Sequence, residues 1–375
     1  MEVAGLYLER WGGLLLRAEA TYIGDTKGSN DYNHWSLRFI EEERVHWHPS
    51  KPETVQAGFD TLNEVISTYT NIVKSISICS YGPFVSLTPG AGYGQLRADT
   101  ANIPLYGKDL ISEFHSGLGN KWLDAPDTRL AVHTDAHACA LGEAYTRNTH
   151  KDDILAFICV TEGVGLGLVR GRQIMPSALH PEVGLLPAYP HIDDPLAKTN
   201  SLPSFSSQAL EKYFEALNIR SIEQQASNKA LFQRYKRNFP DKAATLANIL
   251  QSDHSPETKE FWNIRAFYLA QACVACTVII PPHQIVIGAQ FDPLNNVGER
   301  TDHFFKLIRR GWKLAQQPAF EYPSLESNHF ISEPSLIPGL GQHRSLAYTG
   351  AAGMCYAAAQ ATNEAKIIHK ARELV

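Results

Sequence analysis

Along residues 3–23, apolar and small positions alternate with polar ones around Gly12 and Gly13, the period of a strand pair. The pattern predicts a β-hairpin that turns at those glycines. Residues 24–34 are turn or loop, and Trp35 to Trp47 alternates as another strand. From Pro52 the period lengthens. Val55, Phe59, Leu62, Val65 and Ile66 fall on one face of a helix running to about Tyr69. Ile76 to Ser80 is a short apolar run, a buried strand ended by Tyr81-Gly82-Pro83. Ser86 to Asp99 is rich in Gly and Pro and predicts a loop over a cleft. Leu110 to Leu118 is helical; a strand follows over Thr128–His133, then a helix from Ala136 to about Arg147. Ile154–Val160 and Gly165–Val169 pair through a glycine-rich turn, and residues 190–205 are loop. Helices are predicted over 207–217, 222–235, 241–251 and 258–277, then a strand over 285–288 and helices over 300–315 and 350–365. The small residues of the last helix, Ala351, Ala352 and Gly353 among them, predict close helix packing. This order gives an α/β fold with two mixed sheets, and no repeat of solenoid length is present.

Length then adds a division. At 375 residues the chain exceeds the size at which one core usually stops growing, so two domains or lobes are expected. A hydrophobic share of 44% and a charged share of 19% are those of a globular chain. The net charge of −5 gives no electrostatic case for nucleic acid as a partner. No window is expected to span a bilayer, and Met1-Glu2-Val3-Ala4-Gly5 lacks a signal peptide's basic and apolar regions. A cytoplasmic protein is expected. The six cysteines are dispersed in apolar contexts, which predicts buried, reduced thiols. Cys273 and Cys276 have CxxC spacing but lie in an apolar helical pattern, and are expected in the core.

Candidate chemistry centres on Asp135, at the start of the helix after Thr134. A carboxylate there is kept ionised by the helix dipole and can serve as a general base. Asp in that position is equally an ordinary N-cap, and the residues alone leave both roles open. His46 and His48, two apart on a strand, are expected at the surface, and no metal site is expected.

Several segments, in order, resemble one family. Ser80-Tyr81-Gly82-Pro83-Phe84 with Tyr93-Gly94, Thr134-Asp135 through Ala140-Leu141-Gly142-Glu143, and His180-Pro181-Glu182-Val183-Gly184 are similar to motifs of the ROK sugar kinases. So are Tyr268-Leu269-Ala270-Gln271, Ile285-Val286-Ile287-Gly288 and Leu336 through Gly341, and the likeness is greatest to the bacterial-type fructokinases. The resemblance implies an actin-like (ribonuclease H-like) two-lobe fold. Residues 1–128 would form the N-terminal lobe, 129–346 the C-terminal lobe, and the last helix, 347–375, would return to the first. It implies that Asp135 takes the proton from a sugar hydroxyl, and that Glu182, His137, His180, Tyr81 and Gly82 line the substrate site. A homodimer is implied as well.

Departures fall on the phosphate and zinc elements. The family's first phosphate loop has an acidic residue followed by Gly-Gly-Thr-Lys. Here Glu9-Arg10-Trp11-Gly12-Gly13-Leu14-Leu15 keeps the glycines and replaces the donors by leucines. (A rival register uses Gly24-Asp25-Thr26-Lys27.) The second loop reads Thr161-Glu162-Gly163-Val164-Gly165-Leu166-Gly167, with Glu162 in place of a Thr. A carboxylate about 4 Å from one phosphate charge costs about 4 kcal/mol at an effective dielectric of about 20. Magnesium held by Glu162 reverses that sign. The third cluster reads Gly288-Ala289-Gln290 rather than three glycines. Leu185 stands where a zinc-binding His is expected, and no Cys lies between Cys159 and Cys273, so zinc is not expected. The zinc loop's His and a Glu also help hold the sugar, and both are expected to be missing.

The expectation is therefore an enzyme that acts without ATP. Asp135 and Glu162 would divide acid and base roles on a polar, hydroxylated small molecule, by dehydration, cyclisation, isomerisation or hydrolysis, with His133, His137 and His180 as possible partners. One alternative is an ATP-dependent sugar kinase using Mg-ATP, with Gly12, Gly13, Gly163, Gly165 and Gly288 around the nucleotide. The other is a ligand-binding pseudokinase without catalysis.

Overall fold

The computed structural model describes residues 1–23, 35–98, 105–125, 128–175, 181–196, 220–242, 249, 256–289, 299–315, 330–340 and 345–373. By internal contacts the chain divides into two units. The first comprises Met1–Asp153, Gly167–His180 and Ser335–Val375; the second comprises Ile154–Leu166 and Pro181–Pro334. The expected boundary at residue 128 moves, because strand 129–134 hydrogen-bonds into the first sheet and carries its following helix with it. The helices expected over 207–217 and most of 241–251 lie outside the described residues.

The first sheet has the order β3-β2-β1-β4-β5, built from β1 (Glu2–Glu9), β2 (Gly12–Tyr22), β3 (Trp35–His46), β4 (Val73–Ser80) and β5 (Arg129–Thr134). Strands β1 to β3 are antiparallel neighbours, whereas β1, β4 and β5 run parallel. Helix α1 (Pro52–Tyr69) starts with Pro at its first position and Glu53 in its first turn, both favourable there. Its face of Val55, Phe59, Leu62 and Ile66 is buried in one cluster with Ile76 and Ile78 of β4 and with Phe114 and Trp122. Each such side chain contributes about 1.5–3 kcal/mol by leaving water.

The helix expected over 110–118 is broken into α2 (Leu110–Glu113) and α3 (His115–Leu123) at Phe114. Asn63 of α1 satisfies the break: its amide donates to the Glu113 carbonyl at 2.9 Å and accepts from Gly117 N–H at 3.0 Å. Helix α4 (Asp135–Thr146) is buried from Asp135 to Tyr145.

The second sheet has the order β10-β9-β6-β7-β8, from β6 (Ile154–Val160), β7 (Val164–Arg170), β8 (Gln173–Ile174), β9 (Gln284–Ala289) and β10 (Ile331–Ser332). The second unit holds α5 (Ile222–Ala226), α6 (Asn228–Asn238), α7 (Pro256–Ile279) and α8 (Glu299–Ala315). One helix was expected over 222–235. It breaks at Ser227, whose extended backbone lets its hydroxyl cap α6, while Arg265 binds the Ala226 carbonyl and the Asn228 side chain. Helix α7 corrects the membrane expectation in part. Lys259–Ile279 is long and apolar enough to cross a bilayer, but 61% of that window is buried within the protein, as in a core helix. Cys273 and Cys276 are buried on it, and all six cysteines are buried and outside any disulfide.

Helix α9 (Leu346–Glu373) packs on α4 and on strands β1, β2 and β4 of the first unit. Two glycines make the helix contact. A Cβ on Gly142 would lie 2.3 Å from the Thr349 carbonyl oxygen, and one on Gly353 would lie 1.9 Å from that of Ala138. The close packing expected of the last helix is present.

Candidate active site

In the first unit, strands β1, β4 and β5 lie side by side, and the chain leaves all three at one edge. The register pairs Leu8 with Ser80, and Ser80 with Thr134. The residues just beyond are Glu9, which leads into the Arg10–Trp11 turn, Tyr81 and Asp135. The carboxyl ends of adjacent parallel strands are where α/β folds place ligands.

Asp135 is 8% exposed and opens α4. The capping role falls to Thr134, whose hydroxyl accepts from His137 N–H at 3.2 Å. Asp135 thus stands one residue inside the helix, where its Oδ1 accepts from Ala136 N–H at 2.8 Å. The first-turn amides and the dipole favour its anion. His137 is buried, and its Nδ1 lies 3.0 Å from the Thr134 hydroxyl, so the cap orients its ring. Desolvation pushes His133 down to about 4, which leaves it neutral near pH 7. Burial raises the Tyr81 hydroxyl well above its ordinary value; the Arg10 charge acts against that rise and the Asp135 charge adds to it. Gly82 follows at the same edge, and His180 lies outside the described residues.

The hairpin does not turn at the glycines. Glu9 pairs with Gly12, which leaves Arg10 and Trp11 as the two turn residues and puts Gly12 and Gly13 inside β2. The cause is β3: a Cβ on Gly12 would sit 2.2 Å from the Val45 carbonyl oxygen. Leu14 and Leu15 are buried in the core. The rival register at 24–27 lies outside the described residues.

The second unit holds the other cluster. In the turn between β6 and β7, Thr161 N–H donates to the Gly163 carbonyl at 2.9 Å. Val164 N–H donates to the Glu223 carboxylate at 3.2 Å. A Cβ on Gly163 would lie 2.6 Å from Glu223 Oε2, so the carboxylate is seated on the turn backbone. Burial pushes Glu223 up to about 7, helped by the negative charge of Glu182 and opposed by the Val164 amide and Lys229. Glu182 is exposed and precedes the turn Val183–Leu185, where a Cβ on Gly184 would lie 2.3 Å from the Val164 carbonyl oxygen. Glu162 is partly exposed on the turn between β6 and β7. Gly165 lies in β7, and Gly288 in β9 pairs with Cys159 of β6. Asp135 belongs to the first unit and Glu162 to the second.

Glu223 was missed from sequence. Its carboxylate lies near enough to Glu182 to feel that charge. Its only local signal is an acidic residue in the first turn after the Ser221 cap. A buried ion pair holds its helix. Arg234 donates to Asp194 through Nε at 3.0 Å and Nη2 at 2.7 Å, and to the Gln225 carbonyl at 2.6 Å. Tyr268 OH donates to Asp194 at 2.9 Å.

His191, Asp193 and Glu260 bring ligand atoms within 4.8 Å of one another. However, Asp193 N–H already donates to His191 Nδ1 at 3.2 Å, so that ring nitrogen's lone pair is engaged. We assign no metal there.

A model of the ROK family matches residues 36–301. A candidate fructokinase of Bacillus subtilis (strain 168) is 27% identical over 234 residues, and the match spans 61% of this chain and 64% of that protein's length. A fructokinase of Streptococcus mutans is 23% identical over 255 residues, spanning 64% of this chain and 73% of that one. The solved ROK hexokinase of Thermus thermophilus covers 97% of this chain and 100% of its own, at TM-score 0.62 and 15% identity. A ROK glucokinase of Streptomyces griseus, solved with glucose and AMPPNP, covers 96% and 100%, at TM-score 0.59 and 17% identity. These structures share the actin-like α/β fold with this chain.

Proposed function

This chain belongs to the ROK family, and on that premise we propose that it is a hexose kinase of fructokinase type, moving the γ-phosphoryl group of ATP to a sugar hydroxyl. The observation that carries this reading is the placement of Asp135, a buried carboxylate in the first turn of α4 at the carboxyl edge of β1, β4 and β5. The sugar hydroxyl gives its proton to Asp135 and attacks the γ-phosphorus. The new O–P bond forms as the bond to the β,γ-bridging oxygen breaks, and ADP leaves. Tyr81 and Gly82 follow β4 at the strand edge where Asp135 follows β5. Within the second unit, Glu182 and Glu223 lie close together.

The residues of the glycine turn fit a magnesium nucleotide in one respect. Glu162 is a hard oxygen donor, and magnesium binds through one or two carboxylates together with substrate phosphates. When bound, the ion neutralises triphosphate charge. Sugar is the partner in this reading, and a homodimer rests on the family resemblance.

A second reading keeps Asp135 and dispenses with ATP, as the sequence first suggested. The burial of Leu14 and Leu15, where the family's loop carries Thr and Lys, favours it. Calorimetry with a non-hydrolysable ATP analogue and Mg²⁺, with and without hexose, separates the two. Saturable binding supports the kinase; hexose binding without nucleotide binding supports the second reading.

A further inference from the structure

We propose that Arg10, at the tip of the first hairpin, is the cation that grips the transferred phosphoryl group beside Asp135. This inference rests on the kinase reading and names a residue that the resemblance does not supply. In the family's first loop the cationic donor is the Lys after Gly-Gly-Thr, and here that part of the chain is Leu14 and Leu15, sealed in the core. The two-residue turn puts a different cation at the same strand end. On three adjacent parallel strands Leu8, Ser80 and Thr134 stand level, so Glu9, Tyr81 and Asp135 come next, and Arg10 follows Glu9 on the turn that leaves β1 at this edge.

The turn is held in place. Trp47 Nε1 donates to the Arg10 carbonyl at 2.9 Å, and Trp47 N–H donates to the Trp11 carbonyl at 3.0 Å. The guanidinium carbon lies 5.7 Å from the centre of the Trp11 ring, a cation–π distance that steadies the side chain. The Tyr81 hydroxyl feels the charges of both Arg10 and Asp135, which puts all three in one electrostatic neighbourhood.

Chemistry fits the placement. In phosphoryl transfer, charge spreads over the three equatorial oxygens beside the attacking hydroxyl, and that hydroxyl is the one bound to Asp135. A guanidinium presents a planar fork to two such oxygens at once. The fork would contact the phosphoryl group and not the sugar, so its loss falls on kcat and nucleotide affinity more than on sugar affinity.

The test compares wild type, Arg10→Ala and Arg10→Lys in hexose-dependent ADP release with Mg-ATP, with hexose affinity measured by calorimetry. Arg10→Ala is expected to lose about 100-fold or more in kcat with hexose affinity within about threefold of wild type. Arg10→Lys is expected to recover part of the rate, and millimolar guanidinium to revive Arg10→Ala. If wild type turns over and Arg10→Ala keeps its kcat, the proposal for Arg10 is overturned and the kinase reading stands. If Arg10→Ala loses rate together with hexose affinity, and neither lysine nor guanidinium restores it, the turn acts structurally and the proposal is overturned. If wild type releases no ADP with any hexose, the kinase reading fails and Arg10 with it.

Discussion

The amide of Val164 donates to the carboxylate of Glu223 at 3.2 Å, so the glycine-rich turn after β6 carries an acidic side chain on its backbone. Burial and the Glu182 charge push that carboxyl up to about 7, from an ordinary value of 4.5. The raised value means the fold binds a proton that the unfolded chain has lost. The associated stability is fully present below about pH 4.5 and is lost as pH rises through 7. Its size is about 3 kcal/mol. Glu223→Gln should remove this limb, so wild type loses melting temperature relative to the variant between pH 5 and 8. Parallel melting curves would show that Glu223 does not titrate there.

Asp194 and Arg234 are both fully buried, with paired hydrogen bonds. Arg234 keeps the Asp194 carboxyl below its usual range despite burial, which otherwise raises it. Removing one partner strands the other charge in the core. Arg234→Ala should cost about 3–5 kcal/mol, read in urea unfolding. A loss under about 1 kcal/mol would mean that water reaches the pair.

Helices α4 and α9 meet at Gly142 and Gly353, where an added Cβ would lie 2.3 Å and 1.9 Å from backbone oxygens. Gly353→Ala should destabilise the protein by about 1–3 kcal/mol or more, because backbone rather than a side chain must yield. An unchanged melting temperature would show that the helices separate at little cost.

Glu162 gives a prediction about metal. If it holds the magnesium of the nucleotide, Glu162→Gln should raise the Mg²⁺ concentration for half-maximal rate about tenfold, which corresponds to about 1.4 kcal/mol. An unchanged magnesium requirement would remove Glu162 from that role.

Much of the fold was legible because its determinants are local. Helix α1 was readable from Pro52 and the spacing of Val55, Phe59 and Leu62, and the start of α4 from Thr134. Other features depend on distant partners. The hairpin turn sits at Arg10 and Trp11 because β3 crowds Gly12, and no local pattern announces Val45. The breaks at Phe114 and Ser227 depend on Asn63 and Arg265, both far along the chain. Asp135 was legible as a candidate by motif, whereas Glu223 became one only through burial against Gly163 and Val164.

The central claim is that Asp135 deprotonates a hexose hydroxyl that attacks ATP. It is tested most directly by hexose-dependent ADP release from Mg-ATP, for wild type beside Asp135→Asn, with fructose, glucose and mannose. Wild type should release ADP with at least one of these sugars. Asp135→Asn should lower kcat by about 100-fold or more while still binding the sugar. No sugar-dependent ADP from wild type, or equal rates from the two proteins, would contradict the account.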